Sequence, residues 1–174
     1  FGEFEPVLPA SYRDTPFVFL ANGSPRVQLE VRRQVPSARL VVADTMNYWI
    51  ENEREPLLSL LAEVHGVVLN DQECRQLTGL DNLIAAGRRI LERGPRFVVV
   101  KKGEHGSVLV TPEGLFLLPA YPTARVKDPT GAGDSFAGGM MGHLARSGEV
   151  SEGRLREALA YGTVVASLTV EEFG

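Results

Sequence analysis

Cysteine is nearly absent from this 174-residue sequence, since Cys74 is the single one. An internal disulfide needs two cysteines, so the sequence excludes a secreted scaffold held by disulfides and favours a reducing setting. Long apolar runs are lacking too, because none approaches the roughly 20 residues of a membrane helix. The first residues also lack the charged-then-apolar order of a signal peptide. We therefore expect a cytoplasmic protein with no membrane partner.

Long runs of Lys and Arg along the sequence are also missing. The chain has 18 basic and 22 acidic residues and a formal net charge of −4. No stretch is a basic run of the kind that follows a phosphate backbone, so we expect no nucleic-acid partner. Apolar residues make up 44% and charged residues 23%, a composition typical of a compact globular protein rather than a disordered one.

The length fits one domain and is too short for two ordinary ones. We therefore expect a single domain over residues 1–174. The sequence begins at Phe1 without a Met and stops at Gly174 directly after an apolar helical pattern. These two features lead us to expect that both ends belong to a longer protein.

Four short, continuous runs of Val, Leu and Phe predict strands that are buried on both faces of a parallel sheet. The runs are Phe17–Ala21, Leu40–Ala43, Val67–Leu69 and Phe97–Val100. Apolar residues at helical spacing separate them, and strands that alternate with helices predict right-handed βαβ crossovers. The predicted fold class is therefore α/β.

The pattern changes after the fourth strand. Ser107–Thr111 and Leu115–Leu118, joined by a Pro-Glu-Gly turn, predict a β-hairpin. Two helices are predicted after it, at about 132–147 and 153–169. Residues 1–16 contain three prolines and little periodicity, which predicts a loop.

Polar residues follow each of the four predicted strands, at the carboxyl ends where ligands bind in open α/β sheets. Acidic, amide and Lys groups gathered there suit a phosphate with its Mg²⁺. The polar segments are Asn22-Gly23-Ser24, Asp44-Thr45-Met46-Asn47, Asn70-Asp71-Gln72-Glu73 and Lys101-Lys102-Gly103. We expect the second segment and Trp49, which follows it, to form a polar loop.

The segment 127–139 contains the sharpest signal in the sequence. Gly131 and Gly133 flank Ala132 where a loop enters a predicted helix, so consecutive amide N–H groups can point at one anion. Asp134 falls in the first helical turn, where its carboxylate can accept a proton from a hydroxyl. Together they indicate phosphoryl transfer to an alcohol. Alternatively, Asp134 only complements the helix dipole and the glycines form a tight turn.

Residues 128–134, Asp-Pro-Thr-Gly-Ala-Gly-Asp, resemble the second signature of the ribokinase-like, or PfkB, carbohydrate kinases. Asn70 and Glu73 match the family's N-x-x-E motif after a strand. The resemblance covers roughly residues 17–174 and corresponds to the C-terminal half of a family member. It implies a three-layer α-β-α fold, ribokinase-like and Rossmann-like, with a mostly parallel sheet. It also implies that this domain binds the nucleotide.

The activity that the resemblance implies is ATP-dependent phosphorylation of a hydroxyl on a sugar or related small molecule. By carry-over, Asp134 is the general base. The amides of Gly131, Ala132 and Gly133 stabilise charge on the transferred phosphoryl group. An alternative acceptor is a nucleoside, and an alternative from another class is a non-catalytic nucleotide-binding module that retains the half-fold.

The cofactors implied by the resemblance are ATP and Mg²⁺, with Asn70 and Glu73 organising the Mg²⁺ ion through its waters. The same two residues also match a helix capping box. Asp128 and Thr130 resemble the positions that bind a monovalent cation, K⁺, in some relatives.

A further motif of the family is matched by Lys101, Gly103 and Gly106, which resemble the wall against the nucleotide phosphates. An alternative is that these residues only form a turn. Thr163 takes the position at which many members have an Asn against the adenine.

Nothing in residues 1–16 resembles the family's substrate-binding aspartate, its paired glycines or its β-sheet lid, which lie in the N-terminal half. The resemblance implies a sugar or nucleoside substrate and homodimerisation through that lid.

Overall fold

The computed structural model of the chain describes residues 4–172. In this part of the chain six strands form one sheet, in the order β1-β2-β3-β4-β5-β6. The strands are β1 (Phe17–Leu20), β2 (Leu40–Asp44), β3 (Gly66–Asn70), β4 (Phe97–Lys101), β5 (Ser107–Val110) and β6 (Leu115–Leu118). All four predicted buried strands and the predicted hairpin are confirmed, with ends that differ by one residue at most.

The first three strands run parallel. Phe17 lies opposite Leu40 between β1 and β2, and Val42 lies opposite Gly66 between β2 and β3. Every residue of β2 is buried, which explains why its apolar residues are continuous rather than alternating.

Seven helices occur within residues 4–172, together with short 3₁₀ turns at Ala10–Tyr12 and Gly103–His105. The α-helices are α1 (Pro25–Gln34), α2 (Asn47–Asn52), α3 (Arg54–Glu63), α4 (Asp71–Thr78), α5 (Leu83–Leu91), α6 (Ala132–Ser147) and α7 (Glu152–Thr169). The two helices predicted after the hairpin are confirmed. No helix in this part of the chain combines the length and the apolar character of a membrane span.

The expectation of a polar loop through Trp49 is wrong, because Trp49 lies in α2. Helix α2 has six residues, and no side chain caps its N-terminus, so the sequence offers neither the periodicity nor the cap by which helices are recognised. The indole Nε1 of Trp49 donates to Asn22 Oδ1 at 3.0 Å.

The described residues divide into two compact units. One unit comprises the residues up to Val100 with Leu109–Leu115, and the other comprises Lys101–Val108 with the residues from Phe116 onward. The single nucleotide-binding domain over residues 1–174 stays a prediction. In the first unit the parallel strands β1, β2 and β3 follow one another in chain order, so right-handed crossovers would place α1, α2 and α3 on one face of the sheet.

In the second unit α6 and α7 approach each other closely at two glycines. A Cβ on Gly139 would lie 3.0 Å from the Val165 side chain, and a Cβ on Gly162 would lie 2.6 Å from the Phe136 carbonyl oxygen. This close approach compensates the cost of about 1 kcal/mol that glycine has inside a helix relative to alanine. Gly138, by contrast, faces open space.

Candidate active site

The loop that leads into α6 is attached to the C-terminus of α7. The amides of Lys127 and Asp128 donate to the Val170 carbonyl oxygen at 2.8 and 3.3 Å. The Lys127 ammonium also pairs with the Glu172 carboxylate at 2.6 Å. These bonds fix the point from which the chain turns into α6.

Asp128 shapes this turn with its side chain. Its Oδ1 accepts a hydrogen bond from the Thr130 amide at 2.9 Å, as in an Asx turn. Hydrogen bonds from the Thr130 amide and side chain hold the pKa of Asp128 below its ordinary value. Gly131 follows with φ of +78°, a left-handed conformation that glycine adopts without steric cost. The backbone therefore requires glycine at this position, as a tight turn predicts.

Helix α6 begins with several unpaired amides. The Ala132 amide donates to the Pro129 carbonyl oxygen at 3.2 Å. The amides of Gly131, Gly133 and Asp134 make no hydrogen bond to any residue that the structure describes. Unpaired amides at the positive end of a helix dipole favour an anion. Of the three amides predicted to face the phosphoryl group, those of Gly131 and Gly133 are free, and that of Ala132 is engaged in the turn.

Lys101, the last residue of β4, brings a cation to this helix start. A Cβ built on Gly133 would lie 2.9 Å from Lys101 Nζ, so the ammonium lies directly beside the first turn of α6. Among residues 4–172 the Lys101 ammonium has no ion-pair partner. Ammonium and amide groups are the donors that phosphate oxygens accept from. We call the amides of Gly131 and Gly133 with the Lys101 ammonium the candidate anion site.

Asp134 is exposed in the first turn of α6, which confirms its predicted position. Its carboxylate makes no hydrogen bond or ion pair with the described residues. The next residue, Ser135, is held against α7, because its Oγ accepts from the Thr169 hydroxyl at 2.8 Å. The structure thus leaves a free carboxylate beside the candidate anion site, where it is available to accept a proton.

The turn after Lys101 depends on glycine for steric reasons. The Lys102 amide donates to the Gly106 carbonyl oxygen at 2.7 Å, and Gly106 has φ of +82°. A Cβ at Gly106 would overlap the backbone of Leu118. Gly103 also has positive φ, +55°, but a Cβ there would meet nothing. Turn geometry therefore accounts for Gly106, and the predicted role of both glycines against nucleotide phosphates stays a prediction.

Asn70 and Glu73, which belong to the first unit, form a capping box at the start of α4. Asn70 Oδ1 accepts from the Glu73 amide at 2.8 Å, and Glu73 Oε2 accepts from the Asn70 amide at 2.7 Å. The capping interpretation of this motif is confirmed. The Mg²⁺ interpretation stays a prediction, and within the described residues no group of three or more His, Cys, Asp and Glu side chains could hold a metal ion.

Thr163 is half-buried in α7, and its Oγ1 is a buried atom with no hydrogen-bond partner among the described residues. The predicted position against the adenine stays a prediction.

Sequence reasoning missed Gln28, which holds the carboxyl ends of β1 and β2 together. Its side chain is buried, and its Nε2 donates to the carbonyl oxygens of Leu20, Ala21 and Asp44 at 2.9, 3.0 and 2.9 Å. The available signal was a Gln next to the apolar positions of α1, where a polar side chain needs buried partners.

The model of the pfkB family of carbohydrate kinases matches residues 30–174. The cytidine kinase of Thermococcus kodakarensis is 30% identical over 149 residues, which are 83% of this chain and 53% of that protein. The chain spans about half or less of the length of the curated relatives it matches.

Two solved structures show the same fold. The nucleoside kinase of Methanocaldococcus jannaschii, an archaeal member of the ribokinase family, has a TM-score of 0.77 and 28% identity over 92% of this chain and 51% of that one. The aminoimidazole riboside kinase of Salmonella enterica, complexed with aminoimidazole riboside and an ATP analog, has a TM-score of 0.78 and 24% identity. That match covers 93% of this chain and 60% of that one. These similarities confirm the predicted three-layer, ribokinase-like α/β fold class.

Proposed function

Since the chain belongs to the pfkB family of carbohydrate kinases, we propose that the protein transfers the γ-phosphate of ATP to a hydroxyl group of a sugar or nucleoside. The main support is that the Lys101 ammonium and the unpaired Gly133 amide meet at the start of α6, next to the exposed carboxylate of Asp134. A cation, a free amide and a free carboxylate are the groups that this reaction needs from a protein.

The candidate anion site stabilises the phosphoryl group while it is transferred from ATP to the acceptor. The transition state of phosphoryl transfer is loose, and charge spreads over the equatorial oxygens. The Lys101 ammonium and the amides of Gly131 and Gly133 donate to those oxygens. Because α6 and its N-terminal turn hold the amides in place before the substrate binds, little reorganisation is needed during the reaction.

Asp134 acts on the acceptor. As the acceptor oxygen bonds to the γ-phosphorus, its proton moves to the Asp134 carboxylate, and the bond from the γ-phosphorus to the bridging oxygen of ADP breaks. The N-terminal end of a helix favours the ionised carboxylate that this step requires. The amides of Gly131 and Gly133 thus bind the phosphoryl group, and the carboxylate of Asp134 takes the proton.

Asn70 and Glu73 are the residues that we propose for Mg²⁺, through its waters. Carboxylate and amide oxygens suit this ion, and the Asn70 side-chain carbonyl has a second lone pair beyond the one given to the capping bond. When bound, Mg²⁺ neutralises charge on the ATP phosphates. For K⁺ we propose Asp128 and Thr130, where the carboxylate that shapes the turn supplies a hard oxygen ligand.

We further propose that Gly103 and Gly106 let the backbone approach the nucleotide phosphates and that Thr163 lies against the base. A cytidine kinase and a bifunctional ribokinase are similarly identical to this chain, at 30% and 33%, so we propose either a nucleoside or a sugar as the acceptor.

The test is ADP release by the full-length protein that contains this chain, with ATP, Mg²⁺ and a panel of sugars, nucleosides and cyclitols. We expect turnover with one acceptor class and a loss of about 10²–10⁴-fold in Asp134→Asn, the range for removal of a general base. The matched control is Glu152→Gln, which removes a first-turn carboxylate from α7 instead and should leave turnover unchanged. Turnover that survives Asp134→Asn would contradict the assignment of the base, and nucleotide binding without turnover would favour a non-catalytic module.

A further inference from the structure

A cavity of about 210 Å³ lies in the first unit among α3, the C-terminus of α4 and α5. Its floor includes the buried side chains of Leu61, Leu77 and Ile90. The volume is below the roughly 300–1,000 Å³ of sites for drug-sized ligands, so the cavity suits a smaller molecule. No residue of the candidate anion site lines it.

Three arginines surround this floor, and no Asp or Glu lines the cavity. They are Arg54, Arg89 and Arg93. This is a local excess of positive charge in a chain whose net charge is −4. Arginine is always protonated, and its planar fork binds a carboxylate or phosphate group with two parallel hydrogen bonds.

The guanidinium groups differ in how far they are already engaged. Arg54 Nη2 donates to the Leu77 carbonyl oxygen at 2.6 Å, which fixes its side chain over the end of α4. Arg89 pairs with Glu92 at 3.3 Å across an exposed turn, an arrangement of little stability. The Arg93 guanidinium makes no hydrogen bond or ion pair with any described residue. Two of the three groups are thus available to a ligand.

We propose that this cavity binds a small organic anion. Its phosphate or carboxylate group pairs with Arg89 and Arg93, and its apolar part lies on Leu61, Leu77 and Ile90. An arginine-only rim without an apolar floor would suit inorganic phosphate, and an apolar floor without arginines would suit a neutral molecule. The combination selects a molecule with both features.

Isothermal titration calorimetry tests this proposal by measuring the affinity of the protein for phenyl phosphate, benzoate and benzyl alcohol. All titrations are repeated in the Lys101→Ala variant, which removes the cation of the candidate anion site and leaves the cavity intact. We expect at least one of the two anions to bind in both proteins, and benzyl alcohol to bind far more weakly. Tighter binding of phenyl phosphate would indicate a site for a phosphate group, and tighter binding of benzoate would indicate a site for a carboxylate group.

Arg93→Ala should weaken binding of the anion about tenfold, because each charge-assisted hydrogen bond contributes on that scale. Arg93 is exposed and unpaired, so this variant should fold. Arg88→Ala is the matched control, since Arg88 is an exposed arginine of α5, the helix that precedes Arg93, and does not line the cavity. The affinity of Arg88→Ala for the anion should equal that of the wild type. Any of four results would overturn the proposal: Arg93→Ala binds the anion as tightly as the wild type does, Lys101→Ala loses binding of the anion, benzyl alcohol binds as tightly as the anions, or neither anion binds.

Discussion

Replacement of Gly133 by alanine separates stability from activity at the candidate anion site. The added Cβ would lie 2.9 Å from Lys101 Nζ, the far end of a flexible side chain that can move at little cost. Alanine is favoured over glycine inside a helix by up to about 1 kcal/mol. We therefore expect the free energy of unfolding of Gly133→Ala to equal that of the wild type or to exceed it by at most about 1 kcal/mol.

Activity should change in the opposite direction. The methyl group displaces the Lys101 ammonium and blocks access to the Gly133 amide. Loss of a single donor to a developing oxyanion costs about 10²–10³ in turnover, so we expect ADP release by the full-length protein to fall by at least about 100-fold.

Gly138→Ala is the matched control for this experiment. It makes the same change in the same helix, at a position where the Cβ meets nothing within 4 Å. Denaturant unfolding should show a comparable or larger gain in stability, and ADP release should be unchanged. Wild-type turnover in Gly133→Ala, or an equal loss in both variants, would refute the reasoning.

Two further predictions concern the first unit. His65 Nδ1 accepts from the Val41 amide at 2.9 Å. Burial, and then the charges of Arg96 and Arg32, lower the pKa of His65 below 6.5. The stability that the neutral His65 side chain contributes is therefore present above pH 6.5 and is lost as the pH falls through the lowered pKa. Urea unfolding at pH 7 and pH 5 should show a smaller loss in His65→Asn, and an equal loss would contradict this assignment. Asn70→Ala should lower the free energy of unfolding by about 1 kcal/mol through loss of the helix cap, whereas Asn70→Ser should keep most of that stability. A fall in ADP release in Asn70→Ser would favour the Mg²⁺ role of Asn70. Unchanged ADP release in Asn70→Ser would leave Asn70 as a helix cap only.

The strands and the last two helices could be predicted because their signals are local. Strand β2 is one continuous apolar run that is buried throughout, and α6 follows a glycine whose positive φ begins the helix. Helix α2 could not be predicted, because it is six residues long and has no side-chain cap.

The candidate anion site could be predicted only in part. The sequence identifies Lys101 and Gly133 one by one, since each follows a local motif. Their meeting depends on how Lys101 and the start of α6 pack within the second unit, which no local pattern encodes. The engagement of the Ala132 amide by Pro129 and the arginine-rimmed cavity likewise arise from backbone geometry and from packing between helices.

The most direct test of the central claim is an amide ¹H–¹⁵N titration of the full-length protein with a non-hydrolysable ATP analogue and Mg²⁺. We predict that the resonances of Gly131 and Gly133 shift among the most, because their unpaired amides gain phosphate oxygens as acceptors. We also predict that these shifts are reduced in Lys101→Ala. Saturation of the nucleotide with both resonances unmoved would contradict the claim that the start of α6 binds the transferred phosphate.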